Sequence, residues 1–309
     1  MRAIRLHTFG ADPAIETVPD PVAGPGETLV RIVAAAAGHL DRTIISGDFL
    51  EPPALPYTPG VEAAGVVVSS AAYAEGTPVW LRGGGLGVAR DGTWSELVVA
   101  PDAAVHPMPR DCDFALAACF YTAATTAHVA LHEVARVRPG ERVAVSGAAG
   151  SVGALVVQLA AAAGAVPVAL VADDARAALV PPVAVEVVVG AAPAKPVDVL
   201  VDTMGGPELP ELLRSVAPGG RAVLIGYVSG TRLELDLSRD LIQRDVSLLP
   251  VNMLRRQQAA REAADTLLPR LARGELTLPV TRYPFGQAPA ALAALAQGQV
   301  TGRLALTVD

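Results

Sequence analysis

Three glycines at three-residue spacing, Gly147, Gly150 and Gly153, stand between an apolar run, Val143-Ala-Val-Ser146, and an alanine- and valine-rich helical pattern over 154–163. A strand, a glycine turn and a helix N-terminus in that order let backbone N–H groups approach a pyrophosphate, and the helix dipole favours its negative charge. A glycine triplet also marks ordinary tight turns; here the flanking strand and helix supply the context that a dinucleotide site requires. The candidate contacts are Gly147, Ala148, Gly150, Ser151, Val152 and Gly153. Beyond them, Asp173 and Asp174 stand near the distance at which a carboxylate binds the ribose 2′-hydroxyl, or else they cap the next helix. Arg176 could hold a phosphate by bidentate bonds, or it is a solvated helix residue.

Groups able to donate or place a proton are few. His39 could donate near neutral pH, or be a loop histidine bonded to backbone. Tyr121 could donate to a carbonyl oxygen, or pack. Asp41 and Thr43 lie beside His39, and Asp41 reads more readily as a tie to neighbouring backbone. The two cysteines, Cys112 and Cys119, cannot build a four-cysteine zinc lobe and read as buried free thiols.

These groups are carried by 309 residues, enough for two domains with sizeable cores. Apolar residues make up 51% and charged residues 18%, a globular balance. A net charge of −7 without a basic run argues against nucleic acid and anionic membrane as partners. No apolar run reaches membrane-spanning length without a glycine, proline or charge, 154–171 coming closest. The first residues read as a strand and not a signal peptide, so the expectation is a soluble cytoplasmic protein.

Up to about residue 110, short β-branched runs separated by turn residues predict a compact β-rich domain. Helices over 114–135 come first, then strands and helices alternate: strands at 142–146, 166–171, 185–189, 198–202 and 221–226, helices at 151–163, near 174–179 and at 210–215. This predicts a parallel sheet with right-handed crossovers. Only 190–197 separates two of these strands, too short for the customary crossover helix. A helix at 257–273 and a last strand at 302–308 complete the chain.

With these elements in order, the sequence resembles the zinc-independent branch of the medium-chain dehydrogenases/reductases, and within it the quinone oxidoreductase group. The resemblance spans nearly the whole chain. It rests on Leu55-Pro-Tyr-Thr-Pro-Gly-Val-Glu-Ala-Ala-Gly65, Gly140-Glu-Arg-Val143, the glycine triplet, Asp202-Thr-Met-Gly-Gly206, Pro218-Gly-Gly-Arg-Ala-Val-Leu-Ile-Gly226 and Gly298-Gln-Val-Thr-Gly-Arg303. It implies an α/β protein: a GroES-like β-rich catalytic domain from 1–112 and 255–309, with a Rossmann domain, a doubly wound parallel sheet, inserted at 113–254. It implies cofactor contacts at Thr126, Thr203, Gly226, Tyr227, Asn252 and Arg303. Arg176 matches the basic position of relatives that use NADPH, so NADP(H) is favoured, with NAD(H) left open by Asp173 and Asp174.

Zinc relatives hold metal through a cysteine near position 38 and a histidine where Val61 stands; this chain has Gly38 and Val61, and Glu62 by itself cannot hold zinc. No zinc is expected. The relatives' Asn at position 38 and Tyr at position 43 are absent too, leaving His39, Asp41, Thr43 and Tyr121 as candidate catalytic groups. The leading expectation is an NADPH-dependent, metal-independent reductase delivering hydride to an activated C=C bond or a quinone, with a small electrophilic acceptor as substrate. A specialised enoyl reductase of a biosynthetic pathway and a non-catalytic NADPH-binding redox sensor or accessory dimer are the alternatives. A homodimer through the Rossmann edge strand Val246-Ser-Leu-Leu-Pro-Val251 is also implied.

Overall fold

The computed structural model describes residues 1–49, 51 and 53–308. In chain order, β1 (Arg2–Arg5), β2 (Ala14–Thr17) and β3 (Glu27–Ala37) lead to helix α1 (His39–Ser46), followed by β4 (Glu62–Ser69), β5 (Pro78–Arg82), β6 (Leu97–Pro101) and β7 (Val105–Pro107). Next come α2 (Phe114–His128), β8 (Arg142–Ser146), α3 (Ser151–Ala162), β9 (Val166–Val171), α4 (Asp174–Ala177), β10 (Glu186–Val189), β11 (Val197–Asp202), α5 (Leu209–Arg214), β12 (Val216–Leu224), β13 (Ser247–Pro250) and α6 (Gln257–Ala272). The chain ends with β14 (Val280–Pro284), α7 (Ala288–Ala296) and β15 (Arg303–Thr307).

Two compact units result, Met1–Tyr121 with Pro279–Asp309, and Thr122–Leu278. Sequence reading drew its boundaries at 112/113 and 254/255. The second unit keeps α6, whose Ala260, Ala263, Ala264, Leu267, Leu268 and Leu271 form a buried stripe at helical spacing.

In the first unit a seven-stranded sheet runs β14-β15-β3-β4-β5-β7, with β6 paired to β3. Its pairs are antiparallel except β14 with β15, so the last strand of the chain closes onto Ala34–Ala37 of β3. The core gathers Ile4, Ile32, Leu81, Trp94 and Leu304, and the Trp94 indole N–H donates to the Ala36 carbonyl at 2.8 Å. This bond satisfies the one polar atom of a fully buried ring.

The second unit is an all-parallel six-stranded sheet in the order β10-β9-β8-β11-β12-β13. Numbered within the unit this is 3-2-1-4-5-6, the doubly wound order, whose direction reverses between β8 and β11. That order also resolves the short connection at 190–196. β10 and β11 are not neighbours: the chain leaves the edge strand β10 and re-enters beside β8. The connection must cross three strand spacings of about 4.8 Å and also return the length of β11, roughly 25 Å in all, which seven residues span when nearly fully extended.

Two expectations need correcting. His39, Asp41 and Thr43 lie in the first turns of α1, not in a loop; Gly38 is its N-cap, and Ile44 and Ile45 bury its apolar side. The continuous helix Phe114–Ala135, 22 residues long, does meet the length and composition of a membrane span. A π-helical segment, Val129–Ala135, extends α2 without a break, so the helical reading of 114–135 resolves into one continuous helix. Most of this stretch is buried, as in the core helix of a folded domain.

Candidate active site

In the second unit β8 ends at Ser146 and the backbone turns at Gly147 with φ +61°. A Cβ on Gly147 would stand 2.6 Å from Thr203 Oγ1, and one on Gly153 would stand 2.3 Å from the Gly147 carbonyl oxygen. Both positions therefore exclude any side chain: the first by conformation and contact, the second because α3 packs directly on the turn. Gly150 differs. Its φ of −79° suits any residue, and its Cβ would meet only the Gly147 oxygen, at 3.2 Å. The fold does not demand glycine there, but a bound pyrophosphate would. The Ala154 N–H closes the first helical bond onto Gly150 O at 2.8 Å, leaving the N–H groups of Ser151, Val152 and Gly153 without intrahelical acceptors. This cradle fits a dinucleotide pyrophosphate.

The turn is braced by two groups that sequence reading passed over. Asp202, buried at the end of β11, accepts from Ser146 Oγ at 2.5 Å and from the Gly205 N–H at 2.8 Å. Ser146 Oγ in turn accepts from the Thr203 N–H at 2.9 Å, and Thr203 Oγ1 donates to the Ser146 carbonyl at 2.8 Å. One carboxylate thus ties the ends of β8 and β11, the two strands flanking the topological switch point. The signal was an acidic residue at the end of an apolar strand. Gly226 joins the same end of the sheet, its N–H reaching the Asp202 carbonyl at 3.4 Å, and Tyr227 beside it is exposed.

The remaining residues expected at the cofactor are more dispersed. Asp173 caps α4: its Oδ1 accepts from the Arg176 N–H at 2.8 Å, and its Oδ2 lies 3.7 Å from Arg176 Nε, both side chains being about half exposed. Asn252 caps the short helix Met253–Arg256 by accepting from the Arg255 N–H at 3.2 Å. Thr126 is buried in α2.

Arg303 belongs to the first unit. Its Nη2 meets Glu62 Oε2 at 3.1 Å and its Nε donates to the Cys119 carbonyl at 3.1 Å. The other Glu62 oxygen lies 3.6 Å from Arg82 Nε, and Glu62 is 1% exposed. A Cβ placed on Gly38 would stand 2.8 Å from Arg303 Nη1. The guanidinium therefore occupies the space that a side chain at position 38 would need. A dication introduced here would face two arginines that already engage the Glu62 carboxylate, so this donor set does not fit zinc. Among the described residues no group of three or more His, Cys, Asp or Glu could hold a metal ion. Cys119 donates its thiol to Leu304 O at 3.4 Å, and burial pushes it up to about 12; Cys112 is raised to about 11 for the same reason, so both free thiols stay protonated.

Around this cluster, Asp41 Oδ2 accepts from the Gly38 N–H at 2.8 Å, while its Oδ1 is buried with no hydrogen-bond partner. Burial raises the Asp41 carboxyl to about 6, against the opposing charge of Arg303. Folding thus favours the protonated form: this group's contribution to stability is full below the unfolded carboxylate value and is lost as pH rises through about 6. His39 is held below its ordinary value by partial desolvation and by Arg42 and Arg303, so its imidazole is mostly neutral at pH 7. Thr43 Oγ1 donates to the His39 carbonyl at 3.0 Å. The Tyr121 ring packs 5.3 Å from Trp80 and 6.1 Å from Phe120, with the Arg82 guanidinium 6.0 Å from its centre. The first unit therefore brings His39, Asp41 and Thr43 onto one helix, and Arg82 links the Glu62 cluster to Tyr121.

Two family models match this chain, an alcohol dehydrogenase GroES-like domain over residues 24–110 and a zinc-binding dehydrogenase domain over 173–306. The quinone oxidoreductase of Mus musculus is 33% identical over 167 residues, 52% of this chain and 49% of that protein. The chain thus spans about half the length of the curated relatives it matches. The chain belongs to the medium-chain dehydrogenase/reductase superfamily and is quinone oxidoreductase-like. Members of known structure align with the full medium-chain architecture. An NAD-dependent alcohol dehydrogenase is 26% identical with a TM-score of 0.89, covering all of both chains. A mycobacterial protein solved with NADPH is 25% identical with a TM-score of 0.86, covering 99% of both chains. In this medium-chain dehydrogenase/reductase the family's domain name mentions zinc, yet its own residues place arginine where metal ligands would stand.

Proposed function

We propose that the protein is an NADPH-dependent reductase that works without metal and transfers hydride to an activated C=C bond or a quinone. The observation that carries this reading is Arg303 seated against Gly38 and paired with Glu62. Alcohol oxidation by zinc relatives depends on a Lewis acid at the substrate oxygen. With that place taken by a guanidinium, the chemistry best suited to the site is reduction of an acceptor whose own conjugation lowers the barrier. The NADPH-bound mycobacterial structure and the mouse quinone oxidoreductase support the cofactor and the acceptor class.

Bound on the glycine turn, the reduced nicotinamide would supply the hydride. The chain's own residues have three tasks. The N–H groups of Ser151, Val152 and Gly153 hold the pyrophosphate. The neutral His39 imidazole or the Tyr121 hydroxyl donates a hydrogen bond to the substrate oxygen as negative charge develops there. Arg82 lies 6.0 Å from the Tyr121 ring centre, a cation–π distance that helps hold the ring in place. The test is NADPH oxidation with a panel of quinones and enones, beside elemental analysis of the purified protein. Turnover without metal, unaffected by chelators, is expected. About one zinc per chain, or binding of NADPH with no turnover on any acceptor, would defeat this reading; the latter outcome favours a sensor or accessory role.

The choice of coenzyme rests on Arg176. Asp173 spends one oxygen on capping α4 and turns the other toward Arg176 Nε at 3.7 Å, a long, half-exposed contact from which the arginine can be drawn to a 2′-phosphate. Because its side chain is 49% exposed, Arg176→Ala is expected to weaken NADPH only about fivefold and to leave NADH nearly unchanged. A wild-type preference for NADH, indifferent to Arg176, would reverse the assignment.

A homodimer is proposed through β13, which is a sheet edge. Tyr227, Val228, Leu237, Ile242 and Leu254 are exposed apolar residues in the segments leading to and from that strand. An edge strand with unpaired N–H and C=O groups and neighbouring apolar side chains is suited to pairing with a second copy. Sedimentation should show a dimer that Ile242→Asp with Leu254→Asp converts to monomer; a wild-type monomer at all concentrations would exclude it.

A further inference from the structure

The second unit holds a cavity of about 600 Å³ lined by Glu133, Arg136, Arg138, Glu141, Arg221 and Arg256, together with Val134, Ala135 and Gly219. Its place in the sheet separates it from the glycine turn. Arg138 and Glu141 precede β8, and Gly219 and Arg221 lie toward the start of β12, whereas Gly147 follows the other end of β8. In doubly wound sheets the dinucleotide binds beyond the C-terminal ends of the strands. This cavity opens at the N-terminal ends.

Its charges are unevenly spent. Arg221 is structural: it donates to the Ala135 carbonyl at 2.6 Å and the Arg136 carbonyl at 3.3 Å, and it grips Glu141 through both carboxylate oxygens at 3.0 and 2.7 Å. Glu141 is thereby neutralised, and its Oε2 also accepts from the Arg138 N–H at 2.8 Å. The guanidinium groups of Arg136, Arg138 and Arg256 form no ion pair among the described residues. Only Glu133, exposed at the rim, offsets them, in a chain whose net charge is −7. Arg136 is held at φ 53°, in the left-handed region that a non-glycine residue seldom adopts, at the end of the π-helical segment. Three arginines without an ion-pair partner around one concavity give it a positive local potential that draws in an anion.

We propose that this cavity is a binding site for a small phosphate-bearing anion, separate from the coenzyme site. Planar guanidinium groups match phosphate oxygens by paired hydrogen bonds, and the volume suits a small metabolite. Glu133 would accept from a hydroxyl group of such a ligand. The site requires neither a particular acceptor substrate nor a particular coenzyme, so it stands apart from the proposed activity.

Calorimetric titration of the full chain with inorganic pyrophosphate tests this. Gly150→Val, blocked at the turn, should still bind about one equivalent. Adding Arg136→Ser and Arg138→Ser to that chain should weaken binding at least about tenfold, since both side chains are exposed and neither braces the fold. Glu133→Gln should tighten it. Loss of all pyrophosphate binding in Gly150→Val, or an affinity indifferent to both arginines, would overturn the proposal.

Discussion

Gly150→Val should abolish NADPH binding while leaving the protein folded with near-native stability. Three observations set this apart from an ordinary glycine substitution. Gly150 has φ −79°, so valine meets no left-handed backbone penalty. Its Cβ would meet only the Gly147 carbonyl oxygen, at 3.2 Å, a contact relieved by a shift of a few tenths of an ångström. Gly150 is the N-cap of α3, so a side chain there adds bulk beside the free N–H groups at which a pyrophosphate would bind. Gly147 and Gly153 cannot serve for this test, because side chains there collide with Thr203 and with the turn itself. The expected result is loss of measurable affinity, at least about a hundredfold or roughly 2.7 kcal/mol, with unchanged circular dichroism. An unaltered NADPH dissociation constant would show that this turn is not the dinucleotide site.

Glu62→Ala should be among the most destabilising substitutions in the chain. Glu62 is 1% exposed and its two oxygens face Arg303 and Arg82; the Arg303 side chain is 12% exposed. Removing the carboxylate leaves a buried guanidinium uncompensated, which costs about 3–5 kcal/mol. Replacing both partners together, Glu62→Leu with Arg303→Met, should recover much of that loss, since an apolar pair of similar volume needs no counter-charge. The two tryptophans, Trp80 and Trp94, are both buried in this unit, so urea unfolding followed by their fluorescence reports on it directly. A Glu62→Ala loss below about 1 kcal/mol would mean that these charges behave as a hydrated surface pair. The same result would weaken the argument that Arg303 stands in place of a metal.

What was legible in the sequence was whatever is encoded locally. The strand at 142–146, the glycine turn, α3, the cap formed by Asp173 and the parallel character of the second unit follow from residues within about twenty positions of one another. Hydrophobic period and turn chemistry act at that range. The start of α1 was missed because an eight-residue helix capped by Gly38, which has no capping side chain, carries little local signal. Phe114–Ala135 was legible as helical, but that it is one continuous helix ending in a π-helical segment was decided by the fold, because a stretch buried on most sides carries no amphipathic pattern to fix its joins.

What tertiary structure decided were the pairings that join distant positions. Arg303 meets Glu62 across 241 residues, Arg221 meets Glu141 across 80, and Ser146 meets Asp202 across 56. Motif resemblance placed Arg303 among cofactor contacts, but only the sheet pairing of β15 with β3 brings its guanidinium beside Gly38 and Glu62. The arginines around the second unit's cavity are likewise scattered from 136 to 256 in the chain. A charge's partner is set by which strands lie side by side, and strand order follows from burial of the whole apolar surface rather than from any local run. Sequence by itself therefore determined that a glycine turn of the kind that holds a dinucleotide follows β8 and that positions 38 and 61 carry no metal-ligating side chain; the folded chain decided that Arg303 fills the space beside Gly38 and that an arginine-lined cavity forms at the N-terminal end of the parallel sheet.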